Sequence, residues 1–267
     1  MIGFLIRKNF YDFWDNLFRM MIVNFGFIAS VGVTMLAPAF LPELFGMAPE
    51  SSAATVVMVV LVGAGFLWTC VYLSAMALSV KEVSDYKSFG FKDFLNNLKE
   101  GWVAGIIFGL MIIAMVVVLV IGLPFYLRMN SLLGVFIAAI LFWSSFIVIL
   151  ALQFWFPIRA RLDKKPMKIL KKSFLILMDN PGLAFFLLIT NTITLVLSTI
   201  IGFLLPGPAA ALLFLDQALR LRLYKYDWLE ANPDANRRKI PWEELIAEDR
   251  EKTGTRSLRS FIFPWKD

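Results

Sequence analysis

The 267-residue chain has no histidine and a single cysteine, Cys70. Without histidine the chain cannot build a Ser-His triad, a histidine general base or a histidine metal site. A lone cysteine cannot form a disulfide within the chain. Metal-site spacings, Walker loops and dinucleotide fingerprints are also missing from the sequence. We therefore predict no catalytic residue, no metal and no cofactor, and expect a protein that is not an enzyme.

Charged residues are absent from three long stretches, residues 55–80, 101–127 and 131–158. Uncharged apolar runs of 18 or more residues are typical of transmembrane helices. A helix at the surface of a soluble protein instead needs a polar face. The composition agrees, because 59% of the residues are hydrophobic, against about 45–50% in soluble domains. The sequence thus predicts an all-α integral membrane protein embedded in a lipid bilayer.

We predict six transmembrane helices, separated by proline-containing turns. They cover residues 18–40, 53–80, 102–125, 132–156, 182–205 and 207–223. The sixth differs from the others, because only residues 207–215 are free of charge before Asp216. A transmembrane domain would then occupy residues 1–224. Residues 225–267 would form a cytoplasmic tail with one short helix at 241–252, followed by Gly254.

The distribution of positive charge predicts the orientation of these helices. With six crossings, 25 of the 26 lysines and arginines lie on one side of the membrane, and only Arg128 lies on the other. Because positively charged loops stay in the cytoplasm, both termini are expected there. The net charge of +6 is then a consequence of topology, and no nucleic-acid partner is expected.

A short amphipathic segment recurs before each odd-numbered span. FKDFLNNL at residues 91–98 is similar to FYDFWDNL at 10–17, and more distantly to FLILMDNP at 174–181. The pattern predicts three membrane hairpins, each preceded by an amphipathic cytoplasmic helix lying at the interface. Asn16, Asn97 and Asn180 would cap the spans that follow. Alternatively the similarity is convergent, because the chain is rich in phenylalanine and any lead-in to a span tends to be amphipathic.

Polar side chains within the predicted spans are the candidates for a ligand pathway, because polar groups are costly in lipid. The candidate polar path consists of Asn24, Gln153, Asn191, Thr194 and Asp216. The alternative is that such groups hydrogen-bond between helices or to their own backbone. Asp216 in particular could pair with Arg220, four residues later. Gly101, Gly105 and Gly109 predict a face for close helix packing.

A basic loop follows the fourth predicted span. Its seven cations are Arg159, Arg161, Lys164, Lys165, Lys168, Lys171 and Lys172. Such clusters attract anionic lipid headgroups, although a loop that only enforces topology would have the same composition. The tail, which ends in SFIFPWKD, is a candidate contact for a membrane or cytoplasmic protein.

Two stretches, FKDFLNNLKEGW and FWFPIRARLDKKPMKILKKSFLILMDNPGLAFFLLI, resemble the YesL-type family of bacterial membrane proteins over roughly residues 1–220. The resemblance implies a bacterial inner-membrane location, and an association of some members with carbohydrate uptake. It carries no active-site residues. We therefore expect an accessory or scaffold component of a bacterial transport or envelope system. The alternative is a small-molecule or lipid transporter with a polar path through spans one, four and five.

Overall fold

The structure, a computed structural model, describes residues 1–48, 51–236 and 239–254. These residues form α-helices, with one π-helical turn at Val118–Gly122 and no strand. The helices are α1 (Ile2–Asp15), α2 (Leu17–Leu44), α3 (Ser52–Ser84), α4 (Phe91–Val117), α5 (Leu123–Leu127), α6 (Leu132–Leu152), α7 (Trp155–Arg161), α8 (Pro166–Asp179), α9 (Pro181–Thr199), α10 (Gly207–Ala231), α11 (Trp242–Leu245) and α12 (Ala247–Thr253).

Among the residues that the structure describes, five helical stretches are long and apolar enough to cross a membrane. They are Leu17–Leu44, Ser52–Ser84, Phe91–Leu127, Leu132–Arg161 and Pro181–Thr199. The prediction of an all-helical, multi-pass membrane protein is thus confirmed. Helix α10, the predicted sixth span, is not among the five, because Asp216, Arg220 and Arg222 interrupt its apolar run. Six crossings and two cytoplasmic termini stay predictions.

Helix α10 lies at the centre of the protein. Every residue from Gly207 to Leu219 is buried, and the helix packs against α1, α2, α3, α7 and α9. Its free N-terminal amides are satisfied by neighbouring helices: Ala209 N donates to Asn24 Oδ1 at 3.0 Å and Gly207 N donates to Ser198 Oγ at 2.9 Å. Helix starts buried without such partners are unfavourable. Asn24 and Ser198 therefore make the central position of α10 possible.

Helices α3 and α4 approach each other most closely at three glycines. A Cβ atom on Gly105 would lie 2.5 Å from the backbone of Val71, and one on Gly101 would lie 2.7 Å from Ser74 Oγ. Ser74 Oγ also donates a hydrogen bond to Gly101 O at 2.9 Å. Gly109 faces Leu67 in the same way. The predicted small-residue packing face is confirmed, with α3 as its partner.

The predicted lead-in helices are found at two of the three repeats. Helices α1 and α8 are separate elements before α2 and α9, but residues 91–98 form the first two turns of α4. The prediction of a separate helix there was wrong. Asp93 Oδ2 accepts from Gly90 N at 2.8 Å and starts the helix, and no breaker follows. Asn97 Nδ2 donates to Ser79 Oγ of α3 at 3.0 Å.

The prediction that the recurring asparagines cap the following spans was also wrong. Neither Asn16 nor Asn180 accepts a side-chain cap bond from the next helix. Asn16 Nδ2 instead donates to Asp12 O at 3.0 Å, and Asn180 Nδ2 donates to Ile176 O at 3.4 Å. Both amides therefore close the preceding amphipathic helix.

The tail helix predicted at 241–252 is present as two short helices, α11 and α12, separated by the buried Ile246. Gly254 follows α12 with φ +75°, a conformation that glycine adopts readily. The predicted domain boundary at 224/225 falls inside α10, which is continuous to Ala231. The aromatic segment at 260–267 lies outside the described residues.

Candidate functional site

A cavity of about 540 Å³ lies among the apolar helices. Residues of α2, α3, α4, α6, α7, α9 and α10, together with Phe203, contribute to its wall. Most of these are aliphatic or aromatic: Phe27, Ile28, Val31, Leu73, Phe108, Leu152, Phe156, Leu188, Leu195, Phe203, Pro208, Ala211, Leu212 and Leu215. None of the described residues that line the cavity is charged. A cavity of this size and lining suits an apolar or amphiphilic molecule.

Two amide side chains of the predicted polar path, Gln153 and Asn191, line this cavity. Gln153 Nε2 donates to Leu150 O at 2.9 Å and to Ala184 O at 3.0 Å. Gln153 Oε1 and Asn191 Oδ1 are buried and have no hydrogen-bond partner among the described residues. A buried acceptor without a donor costs about 1–3 kcal/mol. The cavity therefore combines an apolar wall with two amide side chains whose oxygens are buried and lack a donor within the described part of the chain.

Two other members of the predicted path serve the fold instead. Asn24 uses both ends of its amide at the start of α10, where its Nδ2 also donates to Leu204 O and Pro206 O, each at 3.0 Å. Thr194 Oγ1 donates to Thr190 O of its own helix at 2.9 Å. Neither residue lines the cavity. The alternative considered for such groups, hydrogen bonding within and between helices, therefore describes both residues.

Asp216 is held by an arginine from another helix. Arg161 Nε and Nη2 donate to its two carboxylate oxygens at 2.8 and 2.5 Å. The side chain of Asp216 is 2% exposed and that of Arg161 is 10% exposed. The expected pair between Asp216 and Arg220 is not formed, because the carboxylate is already occupied by Arg161. The predicted path is thus divided: two members line the cavity and three support the structure.

Asp216 belongs to a buried cluster of charges where α1, α3, α7, α10 and α12 meet. In its α1 part, Lys8 Nζ lies 2.6 Å from Asp12 Oδ2, which also accepts from Gln217 Nε2 at 2.7 Å. Lys8 Nζ also lies 3.7 Å from the ring centroid of Tyr86. Burial lowers the pKa of Lys8 and raises the pKa of Asp12, while their mutual attraction opposes both changes.

Arg220 connects this cluster to the tail. Its Nη1 lies 3.2 Å from Asp85 Oδ1, and its Nη2 lies 2.9 Å from Asp249 Oδ1 of α12. Tyr86 Oη donates to Asp249 O at 3.1 Å, and Arg7 Nη2 donates to Gly254 O. Helix α12 is therefore attached to the membrane domain by charge-assisted hydrogen bonds.

The predicted anionic-lipid loop does not form one surface. Arg159 is 6% exposed and donates to Glu100 O at 3.0 Å, and Arg161 is held in the buried cluster. Lys164 pairs with Glu100 at 2.8 Å and Lys172 with Asp163 at 3.3 Å. Lys165, Lys168 and Lys171 are exposed and form no ion pair within the described part of the chain. Contact with lipid headgroups stays a prediction for these three lysines.

The sequence analysis did not predict the part of the cavity wall that α10 forms. Pro208 and Ala211 lie in the first turns of α10 and line the cavity together with Phe27 of α2. The small residues 209–211 were a signal, because short side chains beside bulky neighbours leave space. The bond from Arg161 to Asp216 joins residues 55 positions apart in the sequence, so no local sequence pattern predicts it.

Among the described residues, no group of three His, Cys, Asp or Glu side chains could hold a metal ion.

No protein-family model, curated protein or solved structure matches the chain.

Proposed function

We propose that this is a bacterial inner-membrane protein, not an enzyme, that binds an amphiphilic small molecule or lipid in the cavity between α2, α9 and α10. The ligand carries a hydroxyl or amine donor. Both termini are cytoplasmic, and α10 is the sixth crossing. Its 25 residues correspond to about 37 Å of helix, enough to span the hydrocarbon core. Asp216 and Arg220, the charged residues nearest its apolar start, are shielded from lipid by the surrounding helices.

The observation that carries the proposal is the pair of unpartnered acceptors, Gln153 Oε1 and Asn191 Oδ1, in an otherwise apolar cavity. In hydrocarbon, water cannot supply the missing donors. A ligand with an apolar body and one polar hydrogen supplies them and fills the space. Asn24 and Asp216 are already engaged, so the cavity is a binding chamber and not part of a continuous polar channel.

Asn191 gives the cleanest test, because its Oδ1 has no hydrogen-bond partner among the described residues that substitution would remove. The probe is a long-chain alcohol bearing a photoreactive diazirine, compared with its methyl ether, which has no donor. In purified wild-type protein, the alcohol should label cavity peptides several-fold more than the ether. Asn191→Leu should reduce alcohol labelling towards the level of the ether, with Gln153 Oε1 as the acceptor that remains.

The matched control is Thr199→Val on the same helix. Thr199 is exposed and its hydroxyl donates to Val196 O of its own helix, so labelling should be unchanged. Equal labelling by alcohol and ether in the wild type would contradict the proposal, because the acceptors would then contribute nothing to binding.

A role as an accessory or scaffold component of a transport or envelope system is the second candidate. It is favoured by a polar groove of about 570 Å³ where α10 extends past α8, lined by Asp179, Lys225, Tyr226, Leu229, Glu230 and Pro233. A partner segment carrying charged side chains would fit this groove.

The test for this role is co-purification. Because Asp249 anchors α12 to the core, deletion of the whole tail would disturb the fold, so the chain should be truncated after Gly254 instead. A scaffold that acts through the groove should lose its partner on Lys225→Glu substitution and not on truncation. Retention by both variants would argue against the groove, and loss only on truncation would place the contact in the final residues.

A further inference from the structure

A second apolar groove, of about 670 Å³, lies between α2, α3 and the start of α4. Its wall includes Ile22 and Phe25 of α2, Trp68 of α3, and Phe91 and Leu95 of α4. All five are substantially exposed, from 41% for Leu95 to 76% for Phe91. With the apolar helices in a bilayer, these exposed side chains would face lipid.

One end of the groove carries positive charge. Arg19, in the first turn of α2, is part of the wall. Its guanidinium Nη1 donates to Asn16 Oδ1 at 3.0 Å, and no carboxylate of the described residues forms an ion pair with it. The remaining N–H groups of a guanidinium can bind a phosphate in a two-pronged geometry. Arg19 therefore has donors available where a lipid phosphate would lie.

Two exposed lysines lie on α4 next to Leu95, a residue of the groove wall. Lys92 and Lys99 lie three residues before and four residues after Leu95, which places them beside it on the helix surface. Both are exposed, and neither forms an ion pair within residues 1–48, 51–236 and 239–254. The neighbouring carboxylate of Asp93 accepts from Gly90 N at 2.8 Å and serves as a helix cap.

The dimensions of the groove fit one lipid chain. From Arg19 to Phe25, the wall rises about 9 Å along α2, which corresponds to the upper half of an acyl chain. Tyr72, on the inner wall, donates its hydroxyl to Val23 O at 2.9 Å, so this hydrogen is not available to a ligand. Cations at the rim and hydrocarbon walls below match the two ends of a phospholipid.

We propose that this groove is a binding site for an anionic phospholipid of the adjoining leaflet, with Arg19 on the phosphate and one acyl chain against Phe25, Trp68 and Leu95. The site is separate from the cavity that contains Gln153 and Asn191, and either proposal can fail without the other.

The test uses quenching of Trp68 by bromine on lipid acyl chains. The full chain is placed in nanodiscs with either brominated phosphatidylglycerol or brominated phosphatidylcholine at equal fractions. Subtracting the signal of Trp68→Phe isolates Trp68 from the other tryptophans. Phosphatidylglycerol should be enriched at Trp68 by about fivefold or more, the scale expected for one interfacial cation. Arg19→Gln should remove most of that preference and leave quenching by phosphatidylcholine intact.

The control is Arg128→Gln, because Arg128 is exposed at the far end of the α4–α5 stretch and should leave the preference unchanged. Should Arg19→Gln fail to fold, as judged by gel filtration, the double substitution of Lys92 and Lys99 by glutamine should weaken the same preference. Equal quenching by both lipids in the wild type would overturn the proposal. So would a Trp68 that neither lipid quenches, since another protein segment or a second copy would then cover the groove.

Discussion

Two buried polar regions of this protein follow opposite rules. In the charge cluster, the charged groups of Lys8, Asp12, Arg161, Asp216 and Arg220 all have charged partners. Two buried atoms beside them, Gln217 Oε1 and Arg7 Nε, have no partner among the described residues. In the cavity, both amide oxygens lack a donor. The comparison teaches that a buried polar residue that supports the fold cannot be told from one that binds a ligand by its polarity alone. What distinguishes them is whether the protein itself satisfies the polar atoms.

The difference has an energetic basis. Removing one member of a buried ion pair leaves an uncompensated charge, which is strongly destabilising. Removing an acceptor that was never paired leaves nothing uncompensated. Substitutions in the two regions should therefore differ in size and even in sign.

The largest effect is expected for Asp216→Ala. It leaves the Arg161 guanidinium buried with Asp85 Oδ1, 3.0 Å away, as its remaining carboxylate partner. We expect the free energy of unfolding to fall by about 3–5 kcal/mol, measured by chemical unfolding in detergent micelles. The control is Glu248→Ala, which breaks an exposed pair with Lys252 and should produce no measurable change. A stable Asp216→Ala protein would show that the cluster does not hold the helices together.

A smaller loss is expected for Asn24→Leu. The substitution removes the acceptor for Ala209 N and the donor to Leu204 O and Pro206 O at the start of α10. Leaving these groups unpaired in an apolar setting should cost about 1–3 kcal/mol. The same unfolding measurement reports it. Asn24→Asp offers a check, because it keeps an acceptor for Ala209 N and should be less damaging if this amide bond dominates.

The membrane helices were predictable because a helix that crosses hydrocarbon must be long and apolar, and both properties can be read directly from the sequence. The predicted span at 53–80 and helix α3, Ser52–Ser84, correspond because nothing polar intervenes. The burial of Lys8 and the bond from Arg161 to Asp216 were not predictable, because they depend on which helices become neighbours. Asn24 and Asn191 are indistinguishable as residue types in apolar spans. Only their surroundings make one a helix cap and the other an unpaired acceptor.

Asp179, at the protein surface, extends the comparison to a polar group whose contribution to stability should depend on pH. Asp179 Oδ2 accepts from Asn180 Nδ2 and Tyr226 Oη at 2.8 Å and from Lys225 Nζ at 3.1 Å. Burial raises the pKa of Asp179, but the hydrogen bonds from Tyr226 and Lys225 together lower it by more. The pKa therefore lies below its ordinary value. An acid with a depressed pKa stabilises the fold above its unfolded pKa, about 3.9, and loses that contribution as the pH falls through the folded value.

The corresponding variant is Asp179→Asn. At about pH 6 it should have a slightly lower unfolding temperature than the wild type, and the gap should close as the pH falls below about 4. The effect is small because the Asp179 side chain is 48% exposed and solvent screens its interactions. A gap that stays constant over this range would mean that the bonds to Tyr226 and Lys225 do not depend on the charge of Asp179.

The smallest effect on stability is expected for Asn191→Leu, and its sign is the sharpest test of the comparison. Asn24 and Asn191 are the same residue type in apolar helices, yet Asn191 Oδ1 has no donor to lose. Its replacement removes the cost of a buried unpaired acceptor, so the ligand-free protein should be unchanged or more stable by up to about 1 kcal/mol. The measurement is chemical unfolding of delipidated protein, with Thr199→Val as the control. A loss as large as that of Asn24→Leu would mean that Asn191 supports the fold, and the distinction between cluster and cavity would disappear.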